Sequence, residues 1–537
     1  MRPTHRSSPT LVRRYGGQSG ATGAAEHFAA KAMARINENM DHPTLPDIQA
    51  LCLIVIHEWG SRNAVRAYIY LGQAARMLQM YQILHHHTQP DGESFLKDES
   101  WRRTLWLVYV LDCILTTTPG RYPVLALPEY SNVSLPCSDM NFAFGNAVYV
   151  KTWRLEDPPN MPPGGQAAEI GEFGHIVLAT TIWSDVVRML VASQHVYRLD
   201  TILELTDRIS QLRASLPMQY IDKPGQINLH MTMGSGITYA MIHCLLNCAT
   251  IFVYRRRLLH HVRTDAVNVD EWKHTAQCHE IVDRLMASCH GTTSLLMALE
   301  SGADKDVMLC HPIFMLFSAF TASATVAYLS LKGLTPPNSV ETAAIIVRDG
   351  LHLMEQNVET WPLITSWHRH LSVMQRVLNS EATTQVGGGG GSMPPMQQAR
   401  TPTTSVKDEG SNGADSGNEA ADPEQQQQQP VAAPSSNAGI ESSPRPESEP
   451  PMRKSGFTTV NGGGGGGSVT PGNGSPPPPQ APASVGGEVG MQGGAPHAPK
   501  GDDVAVPADM TAAELCAAFE KQLLELDDLA AFMGGGV

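Results

Sequence analysis

A run of five glycines, Gly387–Gly391, divides the chain into two unlike parts. Behind it, residues 383–507 are dominated by Gly, Pro, Gln and Ser, including Gln425–Gln429, Gly462–Gly467 and Pro476–Pro479. Such composition buries too little apolar surface to offset the entropy of an ordered chain, so this segment is expected to be a disordered linker. As a flexible coil its 125 residues would span on the order of 60 Å. Charge divides at the same place. From residue 383 onward 18 acidic and 7 basic side chains give −11, while residues 1–382 hold 34 and 31 and are close to neutral. A protein that coats nucleic acid by bulk positive charge is excluded.

Ahead of the glycines, residues 25–382 read as helix after helix. In Asn63–Leu84, the residues Val65, Ile69, Gly72, Ala75, Leu78 and Ile83 fall near one helical face. Helical patterning continues over 99–115 and ends before the breaker pair Pro119-Gly120. Residues 119–165 form a long irregular connection. Further helices are expected at 168–195, 197–215, 234–262, 269–299, 308–332, 339–357 and 360–379. Alternating short strands with Asn-Gly or Asp-Gly turns are absent, so the body is all-α. No uninterrupted apolar run reaches about 18 residues, which argues against a transmembrane helix and a membrane partner. Residues 1–24, with Arg2, Arg6, Arg13 and Arg14, read as a disordered basic arm.

No catalytic constellation is found, and no enzyme is expected. G-x-S-x-G, H-E-x-x-H and G-x-x-x-x-G-K-[ST] do not occur. His85, His86 and His87 are consecutive and point about 100° apart on a helix, which suits a solvated helix end better than a metal. Cys244 and Cys248 lie in a thoroughly apolar run with no second pair, as core thiols do. Nine scattered cysteines fit reduced thiols, not a disulfide framework.

A set of residues in fixed order carries a family resemblance. Glu99, Arg102-Arg103, Leu105, Trp106, Tyr109, Leu111-Asp112 and Gly120-Arg121 resemble a motif of fungal zinc-binuclear-cluster transcription factors, in their helical middle homology domain. Upstream, Leu71–Met77 with Gly72 and Arg76 looks like the preceding helix of that domain. Downstream, Leu135-Pro136 with Asp139, Phe142 and Gly145 resembles the loop after the motif. Tyr254–Leu259 and Pro312-Ile313-Phe314 resemble two later helical pieces, so the likeness extends over roughly residues 28–379. Leu107 departs from it, standing where a second Trp is usual.

Physically, Glu99 and Arg103 are four apart in the favourable order for a helical ion pair. Asp112 is placed to pair with Arg76 or Arg121, or to cap a neighbouring helix. These residues read as a scaffold network rather than a ligand site. Gly120-Arg121 is expected to turn the chain sharply.

The resemblance implies a nuclear, non-enzymatic regulator of transcription in which the helical body controls activation through an intramolecular or effector-bound state. It also implies zinc and DNA binding through a six-cysteine cluster in which two metal ions share thiolates. No C-x2-C pair occurs in this sequence, so neither zinc nor DNA contact is carried over to any residue. Two readings follow: a chain that starts downstream of the zinc module, or a relative without one. The alternative role is a zinc-less cofactor or antagonist that forms a dimer with a full-length relative.

Residues 508–537 recover helical periodicity. Thr511-x-x-Glu514 is a capping box, and Gly534 is well placed as a stop. Between them Leu515, Phe519, Leu523, Leu526, Ala530 and Met533 form one stripe, flanked by Glu514, Glu520, Glu525, Asp527 and Asp528. This is the expected activation helix, whose partner is a coactivator or the transcription machinery. The competing expectation is that it docks back on the body.

Overall fold

The computed structural model describes residues 21–85, 94–192, 196–263, 269–302, 311–387 and 511–534. Most of the basic arm, His86 and His87, and the Gly/Pro/Gln-rich segment from residue 388 lie outside the described residues. The described residues belong to one compact unit made of the regions on both sides of that segment. They are helical, with no named strand among them and only two isolated bridges, Ser134 to Thr152 and Val150 to Ala168.

The helices in chain order are α1 (Ala21–Glu38), α2 (Leu45–Gly60), α3 (Ala64–His85), α4 (Ser94–Leu115), α5 (Asp139–Phe144), α6 (Glu172–Ala192), α7 (Leu199–Ser215) and α8 (Gln226–Thr232). They continue as α9 (Gly236–Val262), α10 (Val269–Trp272), α11 (Ala276–Ser301), α12 (Ile313–Leu331), α13 (Val340–Asn357) and α14 (Ile364–Gly387). The last two are α15 (Ala512–Glu525) and α16 (Asp527–Phe532).

Local chemistry sets several starts. Thr44 and Asp47 form a capping box at α2, satisfying two amides that the first turn leaves without partners. Thr275 caps α11 by accepting from the Cys278 amide at 3.2 Å. Gly120 has φ +82°, which an L side chain rarely adopts, and it makes the turn expected after α4.

Two helices carry the centre. Every residue from Ile313 to Leu329 in α12 is buried, and α9 is buried along most of its length. A helix apolar all round must be surrounded. Helices α6, α8, α11 and α12 pack on α9, while α11, α13, α14 and α15 pack on α12. At one crossing Gly350 admits α12 so closely that a Cβ there would lie 1.9 Å from Ser323 Oγ.

Among the described residues three helices, α6, α9 and α12, are long and apolar enough by composition to cross a membrane, which corrects the expectation drawn from uninterrupted runs. In this fold 61%, 89% and 94% of those stretches are buried against other helices. Their apolarity is that of a core.

A second correction concerns α3. Val65, Ile69 and Ile83, placed by their spacing on one face with Ala75 and Leu78, are exposed while those two are buried. The buried side is Ala67, Leu71, Ala74, Ala75 and Leu78, packed against α2 and α4. Alanine lets backbones approach closely, so the small residues took the interface and the larger ones were turned out.

Candidate functional site

The motif residues converge where α4 meets the loop ahead of α5. Glu99, fully buried, accepts from Arg103 Nε at 2.9 Å, Arg102 Nε at 2.9 Å and the Cys137 amide at 3.0 Å. Arg103 reaches on to Asp139 at 2.7 Å and to the Cys137 carbonyl at 2.8 Å, over the Phe142 ring. Trp106 donates its indole N–H to the Ser134 carbonyl at 2.9 Å. Leu135 is buried, and the Pro136 carbonyl accepts from the Gly171 amide at 3.0 Å. Thus Glu99, Arg103, Trp106, Leu135, Pro136 and Asp139 are brought together as a node that pins this loop to α4.

Asp112 pairs with neither arginine offered to it by the sequence. Its Oδ2 accepts from the Val124 and Leu125 amides at 2.7 and 2.8 Å, tying down the chain after the Gly120 turn. Burial pushes its pKa up to about 6 against the pull of those two amides. Arg76 instead bonds Gln79 at 2.9 Å, and Arg121 lies over the Tyr68 ring at 5.4 Å. Replacing Glu99 by alanine is expected to cost about 3 kcal/mol in thermal or urea unfolding, because it leaves the Cys137 amide without its acceptor and takes one carboxylate partner from both Arg102 and Arg103. A change under about 1 kcal/mol would show the node to be dispensable.

The second site is the seat of the C-terminal segment. The capping box forms as expected, with Glu514 accepting from the Thr511 amide at 2.9 Å. The segment then breaks into two helices at Leu526, which has φ +60°, where the sequence suggests one continuous helix. The bend turns Phe532 into the core. Its ring lies 4.1 Å from Phe317 and 4.9 Å from Trp59, and its carbonyl accepts from the Trp59 indole at 2.9 Å. Leu515, Phe519, Leu523 and Leu526 are all buried, Phe519 beside Tyr328 of α12 and His370 of α14.

Two of the acids expected to flank the stripe are buried as well. Asp528 pairs with Arg255 of α9, whose guanidinium also covers the Phe252 ring at 4.2 Å. Glu520 accepts from Tyr328 Oη and Lys332 Nζ, both at 2.8 Å. Asp527 is exposed, and its pKa is raised by partial desolvation and by the neighbouring Glu525 and Asp528. Sequence reasoning marked Tyr254–Leu259 only as a helical piece of the resemblance, and it gave Arg255, Tyr328 and Lys332 no role at this seat. The one available signal was an arginine run at 255–257 embedded in an apolar helix.

Among the described residues no group of three or more His, Cys, Asp or Glu is placed to hold a metal ion. The eight described cysteines are buried, and burial holds the thiols of Cys52, Cys113, Cys137 and Cys244 up at about 12. They do not fit a zinc cluster, which needs grouped thiolates.

The result is an all-α domain whose acidic terminal helices fill a groove in its own core. Residues 5–161 match the fungal specific transcription factor domain. The chain is 24% identical over 256 residues to the Zn(2)-C6 fungal-type transcription factor FTF1c of Fusarium oxysporum f. sp. lycopersici, covering 43% of this chain and 27% of that protein. It is 22% identical over 373 residues to the nitrogen assimilation transcription factor nit-4 of Neurospora crassa, covering 66% and 30%. It is 30% identical over 103 residues to transcription factor AN6788 of Emericella nidulans, covering 19% and 16%. The chain therefore spans under a third of the length of these relatives. No solved structure matches it. The match over residues 5–161 makes this part of the chain similar to a family of transcription regulators.

Proposed function

We propose that this chain regulates transcription in the nucleus and that its C-terminal helices are an activation element stored against the helical body. The observation that carries the reading is one of identity between two surfaces. Leu515, Phe519, Leu523 and Leu526, the stripe suited to a coactivator groove, are the residues that fill the groove beside α12 and α14. One stripe cannot serve both at once. Full burial of each such side chain is worth about 1.5–3 kcal/mol, so exposure requires a competing apolar surface or a change in the body. Contact with DNA belongs to this reading only through a zinc module elsewhere, on this protein or on a dimer partner.

The test fuses residues 508–537, and separately residues 21–537, to an unrelated DNA-binding module and reads a reporter gene. The short fusion is expected to activate and the long one to be at least tenfold weaker. Arg255→Ala in the long fusion should recover much of the difference. A silent short fusion would leave the terminal helices as a structural staple and end the proposal.

A further inference from the structure

The outer face of α3 is a second candidate interface. Val65, Ile69, Gly72, Arg76, Met80 and Ile83 follow one another at three- and four-residue steps, which puts them within about 80° on the helix surface. Ile69 and Ile83 are 60% and 61% exposed, and Val65 and Met80 are also exposed. Helix α3 packs on α2 and α4 through its opposite side. A row of large apolar side chains in water over five turns marks an interaction site more often than chance scatter does.

Gly72 sits in the middle of this row and has no reason within the fold to be glycine. Its φ is not left-handed, and a Cβ built there would meet nothing within 4 Å. Glycine in a helix interior weakens it relative to alanine. What the missing side chain provides is an open notch, through which a second backbone can approach closely.

Charge selects the occupant. The 22 residues of α3 include Arg66 and Arg76 and not one Asp or Glu. Arg66 pairs with Glu58 of α2 at 3.2 Å on one flank. On the other flank Arg121 covers Tyr68, with one buried guanidinium nitrogen making no hydrogen bond, beside the exposed Tyr122. A second copy of α3 would set Arg76 against Arg76 with no acid on either helix. We propose that this face docks an acidic amphipathic helix of a partner protein, crossing at Gly72 with its carboxylates toward Arg76 and Arg121. The proposal does not rest on the storage of the terminal helices, whose last described residue, Gly534, lies beside Arg62 and Ala64 at the start of α3.

The test uses the full chain and a fluorescent 22-residue helical peptide with a leucine stripe flanked by glutamates. Binding is expected to saturate and to weaken with salt. Ile69→Glu and Gly72→Leu should each weaken it at least tenfold, while Gly72→Leu leaves the melting temperature unchanged or raises it. The same peptide with lysine in place of glutamate should bind at least tenfold more weakly. Equal affinity for Gly72→Leu and the unaltered chain would overturn the proposal. So would a dimer in light scattering that Gly72→Leu turns into a monomer, which would assign the face to a second copy.

Discussion

Arg255→Ala in the full chain is expected to raise hydrogen exchange of the α15 and α16 amides by about a hundredfold, with much smaller changes in α11 and α13. The substitution leaves Asp528 buried without its cation, and breaking a buried pair in this way costs about 3–5 kcal/mol. About 3 kcal/mol corresponds to roughly a hundredfold in an equilibrium. The penalty falls on the seat of the terminal helices because Asp528 is carried by α16 and Arg255 by α9. Removing both charges together, Arg255→Met with Asp528→Leu, is expected to keep the helices seated, since an apolar pair of similar volume needs no counter-ion. Exchange in Arg255→Ala that matches the unaltered protein would mean that the apolar stripe alone holds the segment. The aromatic contacts of Phe532 would then be the next to remove.

Acid is expected to unfold the body well before its carboxylates are all protonated. Burial holds His175, His243, His311 and His370 neutral, each with its pKa lowered from 6.5 to about 4. Unfolded, each would take up a proton near pH 6.5. Their stabilising neutrality is therefore present above that value and is lost as the pH falls toward 4. At pH 5 the loss is about 2 kcal/mol for each histidine. Asp112 acts in the opposite sense: its raised pKa means the folded protein takes up that proton first, so acid relieves a strain there. The four histidines outnumber it. Urea midpoints at pH 7 and pH 5 measure the difference, and His370→Phe should reduce it by one histidine's share. His370 lies between Phe320 and Phe519, so the same variant reports whether acid loosens α15. A midpoint that does not move between these pH values would show that these rings are not held neutral by the fold.

Much of the motif node was legible because its partners are close in sequence or lie on one helix. Glu99 and Arg103 are four apart, and no tertiary knowledge is needed to put them on one face. That Asp139 and the Cys137 backbone complete the node was not legible, since a loop's path over α4 follows no period. Asp112 shows the same limit. Its sequence neighbours offered two arginines, and the fold gave it two backbone amides, because the chain returns to it only after the left-handed turn at Gly120.

The sequence by itself determined that the body is all-α, that Thr511 and Glu514 start a helix, and that the stripe from Leu515 needs an apolar surface. Those are consequences of local periodicity and of capping groups a few residues apart. Only the tertiary structure decided which surface that is, and which face of α3 is turned inward. In α3 both faces are apolar, so hydrophobicity could not choose; close packing on α2 and α4 favoured the alanines. At the C-terminus, Arg255 and Asp528 are 273 positions apart, and no spacing rule relates residues so distant. Their meeting depends on the shape of a groove that exists only once α9, α12 and α14 have assembled.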